Sequence, residues 1–103
     1  MDIYQIRYFL AIAETGGFTK AAERLFVSQP SLSAGIKKLE QELGVILFER
    51  GGRRSVLTPA GQFFLTKAQS ILSEYRSVLH ELKTFKTQPV LRLGLIRAIQ
   101  IRS

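Results

Sequence analysis

Apolar side chains recur along most of this chain at steps of three and four, and the interruptions mark where one helix ends and the next begins. Ile3, Ile6, Phe9, Leu10 and Ala13 share one side of a helix over residues 2–15, with Asp2 placed to cap it and Gly16-Gly17 to stop it. Phe18, Ala21, Ala22 and Leu25 repeat the pattern in a short second helix, and the two alanines let another helix approach closely. Phe26-Val27-Ser28 is then a three-residue turn, lacking the glycine often found there, into a third helix. Leu32, Ile36, Leu39 and Leu43 form its apolar stripe, predicted to face a core, while Pro30, Ala34, Lys37, Lys38 and Gln41 lie opposite. Ser28 is placed as its cap, Pro30 is tolerated in the first turn, and Gly44 is placed to end it. Alone, this is an ordinary amphipathic surface helix. With its upstream partner and short turn, it is the second helix of a helix-turn-helix.

Beyond Gly44, Val45-Ile46-Leu47-Phe48-Glu49-Arg50 and Ser55-Val56-Leu57 are β-prone runs flanking Gly51-Gly52-Arg53-Arg54, which predicts a hairpin with a basic tip. A hairpin in that position is a wing, and three arginines within five residues suit phosphates or a narrow minor groove. Thr58 and Pro59 read as cap and first helical residue of the longest periodic segment. Phe64, Ala68, Ile71, Tyr75, Val78, Leu82 and Phe85 alternate steps of four and three, a 3.5-residue repeat that predicts a helix lying along another helix. Leu65, Leu72 and Leu79 widen that stripe. Residues 59–86 would make a rod roughly 40 Å long, too long to bury its seam on the preceding residues alone, so homodimerisation is expected. After Thr87-Gln88-Pro89, Val90 to Ile96 alternates as a single strand would. The expected fold is mainly α: a winged helix-turn-helix of three helices plus a β-hairpin wing (1–58), followed by a long dimerisation helix (59–86) and a tail (87–103).

Composition narrows the partner. The 103 residues suffice for one domain. Fifteen Lys and Arg against eight Asp and Glu give a formal charge of +7, which favours nucleic acid or an anionic surface. The excess does not locate the binding face: residues 1–58 hold eight basic and six acidic side chains, net +2, and 59–103 hold seven and two, net +5. There is no cysteine, hence no disulfide, and no apolar run long enough to span a bilayer. The N-terminus lacks a basic segment followed by an apolar one, and a soluble, cytoplasmic protein is expected. No catalytic residues, metal site or cofactor is expected. His80 is the only histidine and reads as solvated or at a dimer edge, and Ser28, Ser31 and Ser33 have no base partner in sequence pattern.

In this order, the motif, wing and long helix resemble the DNA-binding domain of LysR-type transcriptional regulators. The resemblance is carried by Phe18-Thr19-Lys20-Ala21-Ala22-Glu23-Arg24-Leu25, Val27-Ser28-Gln29-Pro30-Ser31-Leu32-Ser33, Ile36-Lys37-Lys38-Leu39-Glu40 and Leu43-Gly44. Further on it rests on Leu47-Phe48-Glu49-Arg50 and Leu57-Thr58-Pro59-Ala60-Gly61, so that it covers residues 1 to about 86. Leu91-Arg92-Leu93-Gly94 is similar to the opening strand of that family's effector domain, the rest of which this sequence does not contain. The resemblance implies double-stranded DNA as partner and a homodimer through the linker helix, with higher oligomers in a full-length form and no small-molecule effector on this chain. It implies base contacts from Gln29, Pro30 and Ser33, phosphate contacts from Ser31, Lys37 and Lys38, and minor-groove insertion by Arg53. Arg50 and Arg54 would be phosphate contacts or strand-end supports, and Ser28 sits at the same helix start.

One position departs from the family's pattern. Ala34, at the centre of the groove-facing side, replaces the arginine or other long polar residue often found there, and Gly35 follows it. Ala34 cannot supply a guanidinium to guanine, worth roughly 1–3 kcal/mol of discrimination, but its methyl can meet a thymine methyl. Gly35 would let a backbone, of DNA or protein, come close. Two other classes share the composition: an architectural protein binding DNA by charge and shape, and a protein-interaction module built on the long helix.

Overall fold

A computed structural model of the chain describes residues 1–49, 52 and 54–86. The first helix, α1 (Ile3–Thr15), starts at Asp2, whose carboxylate accepts from the Gln5 amide at 2.9 Å while the Gln5 carboxamide accepts from the Asp2 amide at 2.8 Å. This reciprocal box satisfies two amides that helix geometry leaves unpaired. The second, α2 (Phe18–Leu25), ends on Phe26, and the third, α3 (Gln29–Leu43), is capped by Ser28 and closed by Gly44 at φ 73°. The fourth, α4 (Pro59–Lys86), begins where Thr58 Oγ1 accepts from the Gly61 amide at 3.0 Å. The helix limits follow the apolar periodicity closely.

Residues Met1–Leu72 form one compact unit, and the first half of α4 belongs to it. Its centre is aromatic. Phe9 is fully enclosed, with the Phe48 ring 5.3 Å away and the Phe64 ring edge-on at 4.8 Å, while Phe18 meets Phe48 at 5.8 Å. Edge-on aromatic contacts add to what area burial alone contributes. Ala21 and Ala22 are buried, as the close approach of α2 to its neighbours requires. Gly61 lets α4 press onto the chain beneath it: a Cβ there would overlap the Leu47 carbonyl oxygen and lie 2.9 Å from Leu57 Cδ2.

Three expectations need correction. The apolar stripe of α3 buries Leu32, Ile36 and Leu39, but Leu43 is 37% exposed and the acidic Glu40 is buried in its stead. The Glu40 carboxylate accepts from the Leu47 amide at 2.7 Å and the Phe48 amide at 3.4 Å, so the buried place near the end of the stripe serves the backbone rather than the core. The expected strands reduce to one antiparallel bridge, Phe48 with Leu57, extended by Glu49 N to Val56 O at 2.7 Å and Thr58 N to Leu47 O at 3.0 Å. Val45 is taken up in leaving α3, its amide donating to the Glu40 carbonyl at 3.3 Å, and it cannot begin a strand. Finally, Phe64 and Ala68 lie in this chain's own core, which removes them from the face open to a second helix. Arg50, Gly51 and Arg53 of the hairpin, and the strand expected from Val90 to Ile96, lie outside the described residues.

Candidate nucleic-acid interface

The start of α3 is open to solvent. Ser28 Oγ accepts from the Ser31 amide at 3.2 Å and donates to Ser31 Oγ at 2.9 Å, so one serine caps the helix and orients the other. Ser28, Gln29, Pro30, Ser31, Ser33, Ala34, Lys37 and Lys38 are all exposed. They project from a helix whose other side is locked by Leu32, Ile36 and Leu39. Of the exposed residues, Gln29, Ser33 and Lys37 line one groove.

That groove, of about 430 Å³, is bounded by Thr19 of α2, Gln29, Ser33 and Lys37 of α3, and Gly52, Arg54 and Ser55 of the hairpin. Ser55 of the hairpin wall is tied to the turn between α1 and α2, its amide donating to the Gly16 carbonyl at 3.0 Å. Arg54 is exposed and shared with a second hollow of about 530 Å³ lined by Gly16, Gly17 and Lys20. Two residues missed by sequence reasoning also line the main groove. Thr19 donates through Oγ1 to Gln29 Oε1 at 3.3 Å, and Glu49 adds an exposed carboxylate. A contact between helices ten residues apart leaves no trace in periodicity, so Thr19 was indistinguishable from any polar residue near a helix start.

Gly35 permits a close approach from within the chain, by a side chain rather than a backbone. A Cβ there would lie 2.8 Å from Tyr8 Cδ2, and the Gly35 carbonyl accepts from Gln5 Nε2 at 3.5 Å. The approaching group is α1 of the same chain, not a DNA backbone. From Ile71 onward α4 carries exposed Ile71, Tyr75, Val78, Leu79, Leu82 and Phe85, and His80 is exposed too. Among the described residues no cluster of His, Asp or Glu could hold a metal ion, and no helix is long and apolar enough to cross a membrane.

The family model for the bacterial regulatory helix-turn-helix protein, lysR family, matches residues 3–62. This chain belongs to the LysR family. The HTH-type transcriptional regulator BenM of Acinetobacter baylyi is 38% identical over 100 residues, covering 96% of this chain and 33% of the regulator. This LysR-family chain thus spans about a third of the length of that relative. Two crystal structures of DNA complexes resemble it. The BenM DBD with benA site 1 DNA has a TM-score of 0.80 at 41% identity, covering 84% of this chain and 98% of the other. The CbnR DBD–DNA complex has a TM-score of 0.79 at 40% identity, covering 84% and 99%. Relatives in the LysR family are transcriptional regulators, and the fold here is that of their winged-helix DNA-binding domains.

Proposed function

We propose that this chain is the DNA-reading part of a transcriptional regulator, inserting α3 into the major groove of double-stranded DNA and the wing into the minor groove, and acting as a dimer. The observation that carries this is the exposed, serine-capped start of α3 beside a groove bounded by Gly52, Arg54 and the tethered Ser55. Such a helix start offers backbone amides and a positive dipole end to phosphate, while side chains one turn on reach base edges.

Gln29, Pro30 and Ser33 contact bases in this arrangement. Ala34 adds only a methyl group, which favours thymine at the pair beneath it. Ser31, Lys37 and Lys38 hold phosphates, Arg50 and Arg54 support the hairpin ends or bind phosphate, and Arg53 enters the minor groove. Residues 1–58 supply the reading surface, 59–86 pair two protomers, and 87–103 lead toward an effector-binding module.

Selection of bound sequences from a random double-stranded pool tests the proposal. A two-fold symmetric motif with half-sites about 34 Å apart is expected, along with a preference over unrelated DNA of at least 10³. A preference below about tenfold would instead favour an architectural protein, and no detectable DNA binding at low salt would favour a protein-interaction module. Steep loss of affinity with salt belongs to both DNA-binding readings and does not separate them.

A further inference from the structure

We infer that Thr19 of α2 is a positioning residue for base readout, holding the Gln29 carboxamide so that its amino group is the part offered to DNA. Thr19 and Gln29 are both exposed and both line the groove, and Thr19 Oγ1 donates to Gln29 Oε1 at 3.3 Å. A glutamine side chain unconstrained at the start of a recognition helix can present donor and acceptor together, the pattern that matches adenine N7 and N6. Here the carbonyl is already engaged by α2, which turns Nε2 and its two donors away from that helix.

With its carbonyl held toward α2 and one of the two lone pairs taken, the carboxamide offers DNA chiefly its donors, which suits edges that carry acceptors alone: N7 and O6 of guanine, or O4 of thymine. The two helices of the motif therefore divide the task. The third carries the reading side chain, and the second sets which of its two ends reads. This inference rests on the proposal that α3 enters the major groove, and it adds a direction of preference to that proposal.

The test repeats the random-pool selection on the full chain with T19V, T19S and Q29A. Q29A identifies the base pair concerned, as the one position whose preference it flattens. At that pair the wild type is expected to favour guanine or thymine as the contacted base. T19V should shift the ratio toward adenine by about three- to tenfold, the range one ordinary hydrogen bond governs, and T19S, which keeps the hydroxyl, should select as the wild type does. A T19V profile that superimposes on the wild type overturns the inference even if affinity falls evenly on all sequences, which is what a merely structural role would do. It is likewise overturned by a wild-type preference for adenine, by T19S moving as far as T19V, or by Q29A flattening no position. A wild type that selects no motif at all removes the proposed function and this inference together; Q29A flattening no position removes only the Gln29 base contact from that function, and the other failures leave it whole.

Discussion

Gly35 lies on α3 directly under the Tyr8 ring, where the space for one methyl group is missing. Alanine there would gain about 1 kcal/mol of helix propensity, but overpacking against a half-buried ring costs roughly 1–3 kcal/mol. Gly35→Ala is expected to destabilise the fold by about 1 kcal/mol in urea unfolding. In a Tyr8→Ala background the same change should stabilise it by about 1 kcal/mol, because only the propensity gain remains. An unchanged sign between the two backgrounds would mean that Tyr8 is not what excludes the side chain. Phe26 is the reverse case. It sits at φ 58° with 94% of its surface exposed, in the left-handed conformation that costs a residue with a Cβ roughly 1–2 kcal/mol. Phe26→Gly is expected to raise stability by about 1 kcal/mol, read as a higher thermal midpoint. Sequence alone noted the absent glycine at that turn but not that phenylalanine adopts glycine's conformation. It left open whether DNA or protein approaches Gly35, because a helical wheel of α3 does not include the helix packed across it.

At the level of elements, the path from α3 to the hairpin depends on one carboxylate. Glu40 is buried and accepts from the first two amides after the loop, fixing where Leu47 and Phe48 enter the core. Removing it leaves those amides without their acceptor, at a cost of about 1–3 kcal/mol. Glu40→Ala should lower unfolding stability by that order and speed amide exchange at Leu47 and Phe48 more than at Phe9. Equal acceleration at all three would point to global destabilisation alone. The helices were legible because caps and stops flank each apolar run: Asp2 and Gly16, Ser28 and Gly44, Thr58. The hairpin was not, since Val45 has a strand-like side chain but its amide bonds back to α3, and the Ile46 carbonyl accepts from the Thr58 hydroxyl rather than from a ladder amide. Glu40 could have been suspected from its place beside Ile36 and Leu43 on the apolar stripe, where a charge is costly unless bonded.

Across the whole molecule, α4 has two apolar sections with different uses. Phe64, Ala68 and Leu72 complete the core of the first unit, whereas Ile71, Tyr75, Val78, Leu79, Leu82 and Phe85 remain exposed. The heptad spacing merged both sections into one seam, because periodicity records which residues share a side and not what covers them. If the exposed section pairs protomers, Ile71→Glu with Val78→Lys should give monomers by sedimentation and lose most affinity for a two-half-site operator. An intact dimer would remove both positions from the interface.

The buried first half of α4 also governs how such regulators can be recombined. A chimera joined at Thr58-Pro59, the visible seam between motif and linker, would give the recognition helix of one parent a Phe64, Ala68 and Leu72 shaped for the other's Phe9 and Phe48. Joined after Leu72, each parent keeps its own aromatic centre intact. The transferable unit of DNA recognition in this chain therefore ends two heptads later than its motif does, and specificity grafts should carry that extra length with them.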